Sequence, residues 1–124
     1  MKNILNMPSV KPMPARILAG FSGGADSTAM LVTLMDWCQV NRIPLEAVHF
    51  EHGIRGAESL ADARWCRAFC KKIGVQLSVI KLKVPANIRP SEGLEAAARR
   101  LRMLKWKTLA AARPGSVVAL AHNA

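Results

Sequence analysis

The sequence predicts an α/β fold built on one parallel sheet of about four strands, with helices on both faces. Short apolar segments alternate with longer segments of helical periodicity, and Gly, Pro and Asn residues separate them. This βαβαβαβ order is typical of parallel sheets with right-handed crossovers. We expect the strands to lie in the spatial order third, second, first, fourth.

The elements can be placed in chain order. The predicted strands cover residues 16–20, 45–50, 75–84 and 116–121. The predicted helices run from Thr28 to at least Met35, from about Glu58 to Ile73, and from Ser91 or Glu92 to about Arg113. Gly74 and the Pro114-Gly115 pair are natural ends for the second and third helices. Apolar residues recur at helical spacing in the second helix, at Ala61, Trp65, Phe69 and Ile73.

Composition bounds the class of protein. The 124 residues, 51% of them apolar, suit one domain with a real core, and no apolar run approaches the length of a membrane span. We expect residues 1–14 to form a flexible leader and residues 15–124 to form the domain. The leader is too short and too weakly apolar for a signal peptide, which favours a cytoplasmic protein with no membrane partner.

Cysteine and charge content narrow the partners. Cys38, Cys66 and Cys70 lack the C-x-x-C spacing of redox or zinc motifs, so a structural role as buried apolar residues is favoured over metal or sulfur chemistry.

The formal net charge is +10, and residues 89–113 carry seven basic residues against two acidic ones. The excess favours a polyanionic partner, although a solvated helix face explains most such charge runs.

The most informative segment is residues 21–28, Phe-Ser-Gly-Gly-Ala-Asp-Ser-Thr, between the first strand and the first helix. Glycines let backbone N–H groups converge, and the helix N-terminus adds partial positive charge, so the segment predicts a phosphate cradle. Ser22, Ser27 and Thr28 add hydroxyl donors. Asp26 would be repelled by phosphates unless a cation lies between them, and Mg²⁺ is the natural bridge.

The pattern is neither the P-loop G-x-x-x-x-G-K-[ST] nor the dinucleotide motif G-x-G-x-x-G. It resembles the pyrophosphate loop S-G-G-x-D-S-[ST] of the N-type ATP pyrophosphatases, or PP-loop superfamily, which split ATP between the α and β phosphates. The competing interpretation is a Gly-rich structural turn with a serine cap.

The third helix has two candidate faces. Residues 94, 97, 101, 104 and 108 are mostly apolar and form the predicted core stripe, whereas Glu95, Arg99, Arg102 and Trp106 share another face. On spacing alone an i,i+4 ion pair and a solvated arginine are favoured over a phosphate-binding role.

Three further segments resemble tRNA(Ile)-lysidine synthetase. Residues 52–55 read His-Gly-Ile-Arg, like that family's H-G-[LI]-R block. Residues 95–104 are similar to its E-x-x-A-R-x-x-R-[YF]-x-x-[LF] helix, and residues 121–124 to the start of its [GA]-H-[HN]-x-D-D block. The matches stand in family order and span nearly the whole chain.

The resemblance implies a Rossmann-like, adenine nucleotide alpha hydrolase-like fold and an ATP-dependent ligase. Such an enzyme adenylates C2 of an anticodon cytidine in tRNA(Ile), and L-lysine then displaces AMP. The implied catalytic residues are Asp26, Arg55, Glu95, Arg99 and Arg102, with Asp26 also the Mg²⁺ ligand. The implied ATP contacts are Ser22, Gly23, Gly24, Ala25, Asp26, Ser27, Thr28 and His52.

Departures from the family pattern shape the alternatives. Met103 replaces the usual aromatic residue, and the acidic pair expected after residue 124 is not in the sequence, so we expect a C-terminally truncated domain. The fourth strand would then be an exposed apolar edge that favours a homodimer. The rival functions are a tRNA thiolase of the same superfamily and an ATP-binding module without turnover.

Overall fold

The structure, a computed structural model, describes residues 13–53 and 57–121. Its strands are β1 (Arg16–Gly20), β2 (Leu45–Glu51), β3 (Gln76–Lys81) and β4 (Ser116–Ala119). Its helices are α1 (Ala25–Asn41), α2 (Ala57–Ile73) and α3 (Leu94–Ala112), with a short 3₁₀ turn at Pro85–Asn87. The predicted leader falls almost entirely outside the described residues.

The four strands form one parallel sheet in the order β3-β2-β1-β4, which confirms the predicted fold class and strand order. The register places Ile17 beside Leu45 on one side and Val117 on the other. β1 is therefore an inner strand whose carboxyl end lies near the middle of the sheet edge.

The inner strands are buried on both faces, which is why they read as continuous apolar runs. Ile17 and Ala19 pack with α1 and α2, in a cluster that also holds Leu31, Leu34 and Cys66. Leu18, between them on the opposite face, packs with Trp106 of α3. Helices thus cover both faces of the sheet, as the sequence predicts.

Several element boundaries differ from the prediction: β4 ends at Ala119 instead of Ala121, and α3 begins at Leu94 instead of Ser91 or Glu92. α1 begins at Ala25, three residues before Thr28, because Gly24 takes the N-cap position. β3 ends at Lys81, because Leu82 and Val84 leave the sheet and pack against Ala97 and Ala98 of α3. The apolar pattern of this stretch reflects burial under a helix and not strand pairing.

The predicted core stripe of α3 is only partly right. Ala97 is buried and Leu101 partly buried, but Leu94 and Leu104 are 43% and 50% exposed. Trp106, assigned to the other face by spacing, is buried over Leu18 and Val48. The indole buries more apolar area than a leucine, and its burial sets the rotation of the helix on the sheet.

A buried carboxylate joins several elements at the amino end of the sheet. Glu46 of β2 is 2% exposed, accepts a 2.7 Å hydrogen bond from Ser78 of β3, and forms ion pairs with Arg16 of β1 and with Arg113 after α3. This group neutralises a charge that would otherwise be costly to bury. Within the described residues, no helix is long and apolar enough to cross a membrane.

We predict that Glu46→Ala lowers the free energy of unfolding by about 2 kcal/mol, because Ser78 loses its acceptor and two guanidiniums lose their partner. The cost is moderated because both arginines are partly exposed and can be hydrated. Urea unfolding followed by circular dichroism measures the change. Asp36→Ala, at an exposed position of α1, is the matched control and should change stability by less than about 0.5 kcal/mol. Equal stability of the two variants would contradict the role given to Glu46.

Candidate functional site

A cavity of about 610 Å³ lies at the carboxyl ends of the strands, the position at which parallel α/β sheets bind ligands. It is bounded by the ends of β1, β2 and β4, by α2 on one side and by α3 on the other. Its polar lining consists of Ser22, Ser27, His49, Glu51, His52, Ser59, Asp62, Arg99 and Arg102. Its volume is in the range of small-molecule and nucleotide sites.

Hydroxyl groups hold the loop between β1 and α1, residues 21–24, in a fixed shape. The Ser27 Oγ accepts from the Ser22 backbone N–H at 3.2 Å and lies 2.9 Å from the Ser22 Oγ. It also donates to the Gly24 carbonyl at 3.2 Å, while the Ser22 Oγ accepts from the Gly24 N–H. Ser27 is therefore the organising centre of the loop as well as part of the cavity wall.

The first turn of α1 follows directly from this loop. Gly24 is the N-cap and makes no side-chain capping bond, so the first backbone N–H groups of the helix have no side-chain acceptor at the cap. Asp26 lies in this first turn and is exposed, and the Thr28 hydroxyl is buried without a hydrogen-bond partner among the described residues. The N–H groups of this helix N-terminus suit an anion, whereas the Asp26 carboxylate would repel one unless a cation lies between them.

Helix α2 supports the loop from behind. Gly23 has φ of +91°, and a Cβ at this position would lie 3.1 Å from the Cys66 Sγ and 3.4 Å from the Trp65 ring. Glycine is thus required both by the left-handed backbone and by the close approach of α2. Burial raises the pKa of the Cys66 and Cys38 thiols to about 11, and that of Cys70 in the same direction. These thiols are inert packing groups, which supports the structural interpretation of all three cysteines.

His49 connects β2 to the same loop. Its Nδ1 lies 2.9 Å from the Phe21 carbonyl oxygen and 3.6 Å from the Cys66 Sγ, and the ring is almost fully buried. A carbonyl oxygen only accepts, so Nδ1 carries the proton of this bond. The histidine fixes the residue that precedes Ser22 and lines the cavity floor.

Two cationic and two aromatic side chains form the α3 side of the cavity. Arg99 and Arg102 line it, and within the described part of the chain neither forms an ion pair. Beneath them, Trp106 meets Phe50 edge to face, with ring centroids 5.2 Å apart. Gly20 permits this packing, because a Cβ there would lie 2.7 Å from Leu120 and 3.3 Å from Trp106.

Arg100, the residue next to Arg99, holds the preceding loop in place and does not line the cavity. Arg100 donates to both oxygens of the Glu92 carboxylate, from Nε at 3.0 Å and from NH2 at 2.9 Å, and also to the Asn87 carbonyl at 2.7 Å. The Arg89 backbone N–H adds a 3.1 Å bond to Glu92. These contacts fasten residues 87–92 to the second turn of α3 and leave Arg99 and Arg102 on the cavity side.

The structure brings together five of the predicted site residues: Ser22, Ser27, His52, Arg99 and Arg102 line the cavity. Gly23 and Gly24 line an adjoining hollow of about 430 Å³, and Ala25, Asp26 and Thr28 begin α1 without lining either space. Glu95 is exposed on α3, outside the cavity lining, and makes no ion pair with the described residues. Arg55 lies outside the described residues.

The sequence interpretation missed three polar lining residues. Ser59 and Asp62 come from the first turns of α2, and Glu51 is the last residue of β2. A helix that follows an inner strand begins at the carboxyl edge of the sheet, and the i,i+3 spacing of Ser59 and Asp62 puts them on one face. That spacing was the available signal.

Comparison with known proteins identifies the family. The family model ATP_bind_3, described as a PP-loop domain, matches residues 1–124. The chain belongs to the PP-loop domain family. The segment from Ser22 to Thr28, which resembles the pyrophosphate loop in sequence and which we call the PP-loop, lies between an inner strand and a helix.

Similar proteins include two tRNA(Ile)-lysidine synthases. The chain is 36% identical to that of Xanthomonas campestris pv. campestris over 110 residues, which is 89% of this chain and 24% of the relative. It is 33% identical to that of Bacillus subtilis over 124 residues, 98% of this chain and 26% of the relative. The chain thus spans about a quarter of the length of these relatives.

A solved structure with the same fold is the U34-tRNA thiolase NcsA from Methanococcus maripaludis with its 4Fe–4S cluster. The TM-score is 0.72 at 18% identity, covering 90% of this chain and 39% of that one. At this identity the similarity concerns the fold, and it supports the Rossmann-like arrangement of the PP-loop domain.

We predict that Gly23→Ala lowers the free energy of unfolding by about 1–3 kcal/mol, because alanine resists a φ of +91° and its methyl crowds Cys66. Gly24→Ala is the matched control: its φ is −75°, and its Cβ would meet only the Ser22 Oγ, at 3.5 Å. Thermal unfolding of both variants measures the difference. A Gly23 variant as stable as the Gly24 variant would refute the left-handed, tightly backed loop.

We predict an acid-dependent contribution from the Glu92–Arg100 contact. The hydrogen bonds from Arg100 lower the pKa of Glu92 from 4.5 to about 2. As the pH falls, the folded state therefore takes up this proton at a lower pH than the unfolded state does. The stabilisation is complete above about pH 4.5 and is lost as the pH falls through about 2. Melting temperatures of wild type and Glu92→Gln should differ by a constant amount from pH 7 to about 5 and converge below that.

The matched control for this pH series is Glu95→Gln, since Glu95 is an exposed carboxylate in the first turn of α3, three residues after Glu92, without an ion pair among the described residues. Its melting curves should follow those of the wild type throughout. A wild-type minus Glu92→Gln difference that persists unchanged to pH 2.5 would show that the carboxylate charge contributes nothing.

Proposed function

We propose that the protein is the ATP-binding part of an ATP-dependent tRNA-modifying ligase that works in the cytoplasm. It adenylates the carbonyl oxygen on C2 of an anticodon cytidine of tRNA(Ile), with release of pyrophosphate. The amine of L-lysine then attacks C2 and displaces AMP. The observation that carries the proposal is the PP-loop opening onto a cavity whose opposite wall presents Arg99 and Arg102. The similarity to tRNA(Ile)-lysidine synthases supports lysine as the incoming amine.

In this proposal the loop holds the phosphates of ATP. Backbone N–H groups at the start of α1 are the first donors, and Gly23, Gly24 and Ala25 allow close approach. When ATP binds, the hydroxyls of Ser22, Ser27 and Thr28 turn from their present positions and donate to the phosphates as well. The hydrogen bonds centred on the Ser27 Oγ hold the loop in shape before ATP binds, which lowers the entropic cost of binding. His52, at the cavity wall, contributes to the nucleotide site.

The donor set also fits Mg²⁺. The exposed carboxylate of Asp26 in the first turn of α1 is the type of single protein ligand that Mg²⁺ uses together with substrate phosphates. When bound there, the ion neutralises charge on the phosphates and on the pyrophosphate leaving group. The described residues contain no group of three or more His, Cys, Asp or Glu side chains arranged for a metal ion.

The arginines stabilise the adenyl transfer itself. As the base oxygen attacks the α phosphorus, negative charge accumulates on the phosphate oxygens, and guanidinium groups fixed in advance lower that barrier. Arg99 and Arg102 are placed on the cavity side of α3 for this role. By the family resemblance, Arg55 and Glu95 complete the reaction site.

The thiolase alternative is disfavoured by the cysteines. Cys38, Cys66 and Cys70 are buried with raised pKa values, and among the described residues no cysteine lines the cavity. A thiolation reaction would need a sulfur donor from outside this part of the molecule. An ATP-binding module without turnover uses the same loop and is separated from the ligase only by the assay below.

Pyrophosphate release in the presence of ATP, Mg²⁺, L-lysine and tRNA(Ile) tests the proposal. We expect Arg99→Ala and Arg102→Ala to lower kcat/KM for tRNA by about 100-fold each, since each removes a cation from the developing charge. Lys105→Ala, which removes an exposed cation of the same helix outside the cavity lining, should stay within about twofold. Pyrophosphate release without lysine incorporation would refute the ligase, and ATP binding without release would favour the module.

We also propose that the β4 edge supports a homodimer. β4 is an outer strand of the sheet, and Val117 and Val118 are only partly buried, so its backbone can pair with another strand. Multi-angle light scattering at rising concentration should show a dimer that Val117→Lys disrupts. A uniform monomer at about 10 mg/ml would contradict the proposal.

A further inference from the structure

The outer surface of α2 has an unusual composition. Five of its exposed side chains, four cations and one indole, together form what we call the α2 basic face: Arg64, Trp65, Arg67, Lys71 and Lys72. Trp65 is 47% exposed, although indole rings are among the side chains whose burial contributes most to stability. The proposed reaction uses none of these residues.

The charges of this face are not balanced locally. Among the described residues, none of its four cations forms an ion pair with a carboxylate. Arg64 and Arg67 are three residues apart, and Arg67 and Lys71 four, so like charges are neighbours along the helix and destabilise it slightly. Asp62, the acidic residue closest to them on α2, lines the cavity and the hollow beside the PP-loop. The face therefore presents uncompensated positive charge.

Trp65 is held in a fixed orientation at this face. Its ring is nearly parallel to that of Phe69, with centroids 5.2 Å apart and an interplanar angle of 9°. The centroid of the Phe21 ring lies 6.1 Å from that of Trp65. Such packing limits rotation of the indole while leaving about half of the residue accessible. A rigid, accessible indole is a stacking platform for a nucleobase.

The face adjoins the proposed reaction site. Trp65 lines the hollow of about 430 Å³ together with Ser22, Gly23, Gly24 and Asp62. An extended ligand lying along α2 would pass beside the PP-loop and enter the cavity from there. The cation row follows the helix away from this point, from Arg64 to Lys71, a distance of about 10 Å at the rise of an α-helix.

The charge and the exposed indole of the α2 basic face indicate which kind of partner it binds. A second copy of the same face would oppose four cations with four cations, which disfavours symmetric self-association. An apolar segment would cover Trp65 but leave the cations without partners. A polyanion that also offers flat aromatic groups satisfies both features, and single-stranded nucleic acid has this combination.

We propose that the α2 basic face docks the single-stranded part of the RNA substrate, with a base stacked on Trp65 and the phosphate backbone along Arg64, Arg67, Lys71 and Lys72. The inference relies on the proposed function for the identity of the nucleic acid as RNA. The docking step itself needs neither ATP nor catalysis, so it can succeed or fail independently of the ligase reaction.

The test measures binding of a fluorescein-labelled anticodon stem-loop RNA by fluorescence anisotropy, without ATP, at several salt concentrations. Arg67→Ala/Lys71→Ala should weaken binding about tenfold and reduce the slope of log affinity against log salt by about 1.4, because two phosphate contacts are lost. The matched control is Lys105→Ala/Lys107→Ala, which also removes two exposed cations, on α3 across the sheet. The control should leave binding within about twofold.

Trp65 is tested by two variants, since Trp65→Ala also removes packing against Phe21 and Gly23. Trp65→Ala should weaken RNA binding about tenfold, and Trp65→Phe, which keeps a ring, should recover most of it. RNA should quench the tryptophan fluorescence of the wild type, and Trp65→Phe should abolish most of this quenching despite the remaining Trp37 and Trp106. Quenching that survives in Trp65→Phe would overturn the stacking role.

Three outcomes of the binding experiments would overturn the proposal. The first is equal loss of RNA affinity in the α2 and α3 double variants, which would mean non-specific attraction to a basic protein. The second is unchanged RNA affinity in all α2 variants. The third is tighter α2-dependent binding to phosphatidylglycerol vesicles than to the RNA, which would identify an anionic membrane as the partner. Pyrophosphate release that depends on Arg99 but not on the α2 basic face would leave the proposed function standing and remove this inference alone.

Discussion

The burial of β1 on both faces is the constraint on which the rest of the molecule depends. Ile17, Leu18 and Ala19 are almost fully buried, and they alternate between a core under α1 and α2 and a core under α3. A strand without a solvent-facing side must be internal, and an internal parallel strand ends at the middle of the sheet edge. The PP-loop, which follows β1 directly, therefore lies between the carboxyl ends of β2 and β4.

The adjacent arginines of α3 show how one helix separates structural from functional charge. Arg100 donates hydrogen bonds to the Glu92 carboxylate and the Asn87 carbonyl and so attaches residues 87–92 to α3. Arg99 lies 100° around the helix from it, and Arg102 follows on the same side as Arg99, so both reach the cavity. One ion pair thus holds Arg100 away from the cavity, while Arg99 and Arg102 face it and form no ion pair with the described residues.

The packing of α2 against the PP-loop links the core to the surface. The same helix presents Cys66 to Gly23 on its inner side, Asp62 to the cavity at its beginning, and the α2 basic face to solvent. A change in the position of α2 would alter all three together. The fixed indole of Trp65 lies where these surfaces meet.

The sequence by itself determined the order of the elements along the chain and the position of the PP-loop, because apolar periodicity and glycine placement are local properties of the chain. The strand order β3-β2-β1-β4 was an expectation that the structure confirms. It also supplied the motif residues that carry the family resemblance. Only the tertiary structure decided which α3 residues are buried. Trp106 packs against the sheet while Leu94 and Leu104 stay exposed, and helical spacing alone does not show which of these side chains is buried. The partner of Arg100, the place of Ser59 and Asp62, and the support of Gly23 by Cys66 join residues from separate elements. Such contacts depend on how the helices dock, and no local pattern encodes that.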